Sequence, residues 1–191
     1  MNISSGIDEL SSRGLNIFLS IKVSELPSGL INFPMDQRHK TLCLVGAGGP
    51  ALWGQLPHPL QGAHPIDDFS LRLIRDFAKT YLNDDLEVLF PNDSYLLPLQ
   101  QLGRLMGFSQ PSPMGIDICN DFGLWFSYRA AFLTSKDIEQ KSSAYHQAFC
   151  NECPRHLCLI DRLHCPIKVD QQYGPAQISY HASQSALFVV N

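Results

Sequence analysis

Residues 115–133 read GIDICNDFGLWFSYRAAFL, and how this stretch divides decides the fold. It parses as two strands, Gly115 to Cys119 and Leu124 to Leu133, joined by a tight turn at Asn120, Asp121 and Gly123. That pattern predicts a β-hairpin. Side chains alternate along a strand, so Trp125, Ser127 and Arg129 share one face while Phe126 and Tyr128 take the other. An arginine on an otherwise apolar sheet needs a partner, either a structural carboxylate or an anionic ligand.

Working outward, Asn16 to Val23 is β-rich and TLCLV (residues 41–45) is a short apolar run that predicts a buried strand. That run empties into Gly46, Gly48, Gly49 and Pro50, and Glu87 to Phe90 predicts a further strand. The clearest helix is Asp67 to Leu82, where Phe69, Leu73, Phe77 and Tyr81 recur every four residues and Asp67 or Asp68 supplies a cap. Shorter helices are expected from a Ser4 or Ser5 cap through Ser12, over Pro98 to Met106, and over Pro175 to Ser185. A polar, helix-like link covers Ser135 to Tyr145. Strands alternating with helices, together with one hairpin, indicate an α+β class with a partly antiparallel sheet.

The chain has 191 residues, of which 45% are hydrophobic and 17% charged, enough apolar material for a sizeable core and too much for a disordered chain. The net charge is -4 and no block of like charges occurs, which removes the electrostatic footprint of a nucleic-acid or anionic-membrane binder. No apolar run approaches the length of a membrane span, and MNISSGIDEL lacks the build of an export signal. A soluble, cytoplasmic protein is expected.

Cysteine placement is the unusual feature. Cys43 and Cys119 stand alone in apolar stretches, whereas Cys150, Cys153, Cys158 and Cys165 fall within sixteen residues, as C-x2-C-x4-C-x6-C-P. In a cytoplasmic chain this favours metal or redox chemistry over a disulfide framework. Four soft thiolates suit an iron–sulfur cluster or zinc, and four reduced cysteines without metal are the plain reading. Arg155, Arg162 and Lys168 lie nearby to offset thiolate charge, and His146, His156 and His164 flank the run. The segment GAGGPA (residues 46–51) formally fits G-x-G-x-x-A, but Pro57 curtails any following helix. It is therefore expected to be a glycine-rich turn, either structural or admitting a ligand close to the backbone. No G-x-S-x-G, H-E-x-x-H or outstanding carboxylate pair supports hydrolase chemistry.

Residues 115–133 also resemble the segment G-x-x-x-H-P-x-[FY]-G-x-W-[FH]-A-x-R-[AG] of the CblC-like cobalamin-processing family and its short bacterial relatives. LSSRGLNIFLSIKV, LCLVGAGGPALW, HPIDDFSLRLI, VLFPNDSYLLPLQQ and QPSPMGI keep the order of those relatives, and CNECPRHLCLIDRLHCPI resembles their C-x2-C-x4-C-x3-C-P-V tail. Epoxyqueuosine reductases are more distant cousins. Here Cys119-Asn120 replaces the family's His-Pro, and six residues, not three, separate the last two cysteines.

The resemblance implies a nitroreductase-like α+β sandwich over residues 1–140, its sheet mostly antiparallel, with a cysteine-rich metal-binding tail over 141–191. It further implies a corrinoid or flavin pocket bordered by Gly46, Gly48, Gly49, Gly115, Trp125 and Arg129. Cys150, Cys153, Cys158 and Cys165 would bind an iron–sulfur cluster, with a redox partner protein. A non-catalytic cobalamin or small-molecule carrier with a structural zinc is the second expectation.

Overall fold

The computed structural model describes residues 2–84, 86–91, 97–139, 150, 153, 157–159, 165 and 170–187. Its centre is β2 (Thr41–Gly48), in which every residue is buried. It pairs antiparallel with β1 (Ile17–Lys22) on one side and with β6 (Phe126–Thr134) on the other. A fourth strand, β3 (Glu87–Phe90), completes the sheet on the far edge of β6, in the order β1-β2-β6-β3.

Alternation along TLCLV assigns the two faces, since successive side chains leave a strand in opposite directions. Cys43 and Val45 point into a core with Leu10 of α1 (Ile3–Ser12) and Phe69, Leu73, Ile74 and Phe77 of α2 (Pro65–Phe77). Leu42 and Leu44 point into a second core with Leu102 of α3 (Leu99–Leu105), Met106 and Phe108. A sheet buried on both faces has no use for polar residues at its centre, which is why these strands read as apolar runs. The last helix, α4 (Pro175–Leu187), returns to the α1–α2 side, where Tyr180 packs tilted against Trp53 at 5.4 Å between ring centres.

Several local expectations are corrected. Asn2 caps α1, its side chain accepting from the Ser4 amide at 3.0 Å, so the cap precedes both serines. At α2 neither aspartate is the cap: Pro65 opens the helix after His64, and Asp67 and Asp68 lie in its first turn, where carboxylates favour the positive end of the helix dipole. The periodic run to Leu82 is real, but its final turn, Ala78–Leu82, is π-helical and closes on Asn83 in the left-handed conformation. Residues 135–139 are not helical, and the remainder of the expected link lies outside the described residues.

Two corrections reshape the site. Gly46, Ala47 and Gly48 are not a turn: they continue β2 and pair with Tyr128, Ser127 and Phe126 of β6. The Phe122 ring fills the space a Gly48 side chain would need. The hairpin also divides differently. Cys119 and Gly123 do bridge across the tight turn, through mutual backbone hydrogen bonds of 3.0 Å. The arms then separate, so that β5 (Asp117–Ile118) pairs with β4 (Gln110–Pro111) in a small second sheet, while β6 joins the main one.

Candidate functional site

Val45 opposes Ala130 and Gly46 opposes Tyr128, which leaves Arg129 as the extra residue of a β-bulge. The bulge breaks alternation, so Arg129 and Ala130 both turn to the α2 face. Ser127 and Trp125 share that face, while Phe126 and Tyr128 pack edge-on against Phe108 on the other, as alternation predicts.

Arg129 meets the carboxylate that an apolar sheet demands. Its Nη1 donates to Asp67 Oδ1 at 3.4 Å, with the side chains 15% and 32% exposed. The contact is long and single, and among the described residues Arg129 Nε has no acceptor. Among the described residues the buried atoms Ser127 Oγ and Gln177 Oε1 also lack partners, and the three side chains line one cavity with Ala47, Gly49 and Tyr173. That cavity measures about 10 Å³, the space of a single water.

The structure brings only part of the expected pocket together. Gly49 and Arg129 share the cavity, and the Gly49 amide donates to the Trp125 carbonyl at 2.8 Å. Trp125 is covered by Tyr173, 5.4 Å away edge-on. A side chain at Gly46 would come within 2.8 Å of the Ser127 carbonyl oxygen, and one at Gly49 within 2.9 Å of Gln171. These glycines are packed by the chain itself. Gly115 lies elsewhere: exposed, at φ 77°, its carbonyl accepts from Gln100 of α3 at 3.4 Å, on the opposite side of the sheet. A corrin or flavin needs a cavity of roughly 300–1,000 Å³, so the closed site does not fit either. Three depressions of that size, about 740, 540 and 410 Å³, border Arg75, Lys79 and Asp84, then Pro27, Leu97 and Gln101, then His58, Asp68 and Arg72, and none contains an expected site residue.

The cysteines divide as their surroundings dictate. Cys43 is a core residue, wholly buried, and its thiol is pushed far above the ordinary range by burial. Cys119, also buried, is pushed up to about 12, chiefly by burial. Cys158 and Cys165 are buried with Ile118 and Leu124, and Cys150, Met114 and Ile116 pack around them. The Cys153 amide donates to the Cys150 carbonyl at 3.3 Å.

Burial raises the thiol pKa of Cys150, and the charges of Cys158, Cys165 and Cys153 raise it further. Cys158 rises through burial and then through Cys165 and Cys153. The four sulfurs therefore lie within electrostatic reach of one another, and a nearby cation would favour their thiolate forms. Among the described residues no group of three or more His, Cys, Asp or Glu is already spaced for a metal ion. The donor set, three thiols against an apolar wall with Cys153 beside Cys150, suits soft metals. Arg155, Arg162, Lys168, His146, His156 and His164 lie outside the described residues.

Sequence reasoning missed a buried polar network beside β5. Ser109 Oγ donates to Asp117 Oδ2 at 2.7 Å and lies 3.1 Å from the Tyr128 hydroxyl, while Arg104 Nε pairs with Asp117 Oδ1 at 3.1 Å. It also missed Tyr173 and Gln177, whose place is set by the return of α4. No local pattern marks either residue, although an arginine in an apolar strand did signal that a partner such as Asp67 must exist.

A four-stranded antiparallel sheet with helices on both faces is a nitroreductase-like α+β fold, as the resemblance implied. Solved structures that share it include the following two. Epoxyqueuosine reductase from Streptococcus thermophilus superposes with a TM-score of 0.55 at 16% identity, over 82% of this chain and 52% of that one. CblC, a B12-trafficking protein of C. elegans, gives 0.54 at 10% identity, over 94% and 91%. The chain thus spans about half the length of the reductase and most of CblC. At these identities the likeness is one of fold. No family model and no curated protein matches the sequence. Among the described residues no helix is long and apolar enough to cross a membrane.

Proposed function

We propose that this chain is a cytoplasmic redox protein in which Cys150, Cys153, Cys158 and Cys165 hold an iron–sulfur cluster. Residues 141–191 act as the metal-binding tail of an α+β core, residues 1–140, whose closed pocket at Arg129 would have to open before it took a corrinoid or flavin. The observation that carries the reading is the gathering of Cys150, Cys158 and Cys165 against Ile118 and Leu124, with Cys153 near enough that its charge raises the proton affinity of Cys150 and Cys158. Such a set has every electrostatic reason to bind a cation. When bound, a cluster supplies one-electron chemistry, and its apolar surroundings would tune its potential. The fold shared with a B12-trafficking protein and with epoxyqueuosine reductase supports a cofactor in the core and a partner protein for electron exchange.

Anaerobic purification tests this. A brown preparation containing iron and acid-labile sulfide is expected, and Cys158→Ser should lose both. A colourless, iron-free protein from anaerobic cells would overturn it. The involvement of Cys158 and Cys165 in an apolar cluster with β5 also suits a structural zinc, in a carrier without catalysis. One zinc per chain with no sulfide would establish that reading instead.

A further inference from the structure

The four C-terminal thiols are not equivalent. Cys158 and Cys165, 4% and 7% exposed, are packed into the apolar cluster with Ile118 and Leu124 and are screened from solution. Cys150 and Cys153 are only half-buried, and both are free thiols. The sequence C-N-E-C puts two residues between them, and the Cys153 amide donates to the Cys150 carbonyl at 3.3 Å. A hydrogen bond of that span closes a four-residue turn, whose end Cα atoms lie within about 7 Å of each other. A disulfide needs Cα atoms roughly 4.4–6.8 Å apart. The turn therefore holds the outer pair at bonding range, where a reagent in solution can reach it.

We propose that Cys150 and Cys153 are a reversible dithiol switch, which a small-molecule disulfide such as oxidised glutathione closes into a protein disulfide while Cys158 and Cys165 stay reduced. One outer thiolate attacks a sulfur of the glutathione disulfide, forms a mixed disulfide and expels one glutathione thiolate. Its neighbour across the turn then attacks the protein sulfur of that mixed disulfide and expels the second. Two protein sulfurs are oxidised, the incoming disulfide is reduced to two thiols, and the departing thiolates take up the two protons. The consequence rests on the reading of the four thiols as a metal site: closure removes two of its four donors, and the metal leaves. A metal needs the free thiolate, so a disulfide sulfur is no substitute. The inner pair stays packed on Ile118 and Leu124, ready to recapture metal once the outer pair is reduced.

Trypsin separates the cysteines usefully. Cleavage after Lys141, Arg155, Arg162 and Lys168 leaves Cys150 and Cys153 together in residues 142–155, Cys158 in 156–162 and Cys165 in 163–168. The full chain is treated with oxidised glutathione in two forms, as purified anaerobically and after stripping by a chelator in reductant. Each sample is quenched with iodoacetamide, digested and weighed. Peptide 142–155 should appear short of two hydrogens and free of alkyl groups, with Cys158 and Cys165 both alkylated. Metal should be lost from the loaded protein in step with that peptide, and dithiothreitol with added metal should reverse both changes. Cys153→Ser should stop at the mixed disulfide, with glutathione retained on Cys150.

Peptide 142–155 cross-linked to 156–162 or 163–168 as the main product would overturn the proposal. So would four thiols that all remain alkylatable, or metal retained by protein whose outer pair has closed. The stripped sample reports the pairing with no metal present. A chain that purifies without metal would thus defeat the metal reading, while its peptides still decide whether Cys150 and Cys153 pair.

Discussion

Gly103 and Tyr128 show how little freedom a single residue has here. The Tyr128 hydroxyl occupies the place where a Gly103 side chain would begin, so α3 lies directly on β6 at this point. That closeness allows Tyr128 to reach Ser109, which in turn holds Asp117. Gly103→Ala gains about 1 kcal/mol of helix propensity but must push α3 away from β6, an overpacking cost of typically 1–3 kcal/mol. A net loss of about 1 kcal/mol is expected from thermal unfolding. Tyr128→Phe removes the obstructing oxygen, so Gly103→Ala should cost less in that background than alone, a positive coupling in a double-mutant cycle. Additive effects would show that the hydroxyl is not what excludes a side chain at residue 103.

Among the elements, β2 and α2 were plain in the sequence, because an apolar run flanked by glycines and a four-residue apolar period each have one simple meaning. The boundaries were harder. Gly46 to Gly48 look like a turn, yet they extend β2, because Phe122 supplies the bulk that the glycines lack and the bulge at Arg129 keeps the pairing in step. The hairpin reading failed at β5, since nothing local says that Asp117 and Ile118 pair with Gln110 and Pro111 instead of β6.

The end of β6 is fixed by a residue that no periodicity marks. Asp84 Oδ2 accepts from Thr134 Oγ1 at 2.6 Å, the Ser135 amide at 2.8 Å and Ser135 Oγ at 2.9 Å. Desolvation would raise the Asp84 pKa, but these hydrogen bonds from Thr134 and Ser135, with Lys136 nearby, outweigh it and hold the carboxyl below its usual range. A depressed folded pKa contributes stability that is present above the unfolded value and lost as pH falls through the folded one. Asp84→Ala should therefore cost about 2 kcal/mol at neutral pH, roughly 4–8 °C in Tm for a chain of this size. The gap to the unaltered protein should close as the solution is acidified below the ordinary aspartate range. A gap that persists at acid pH would mean that the carboxylate charge is not what holds the strand end.

At the scale of the whole molecule, the segment from Met114 to Cys119 joins the thiol cluster to the core. Ile118 packs on Cys158 and Cys165, Asp117 is clamped by Arg104 and Ser109 beneath α3, and Cys119 lies in the core on that same face. Among the described residues the thiol cluster thus leans on the core through Ile118 and Leu124, so events at the sulfurs act next to the Asp117 network. The sequence made the four cysteines visible as a donor set. It could not show their seat, because Ile118 and Leu124 read equally well as the two arms of a hairpin. Ile118→Ala opens a cavity directly under the buried thiols and should lower stability by about 3 kcal/mol. On the proposed reading of the thiols, metal should also leave this variant faster when a chelator is added, since binding free energy and folding of the tail are linked. In the unaltered chain, metal removal should in turn speed amide exchange at residues 116–119 while leaving β1 unaffected. Ile118→Ala protein that is destabilised yet holds its metal as firmly as the unaltered chain would show that the tail binds without leaning on β5.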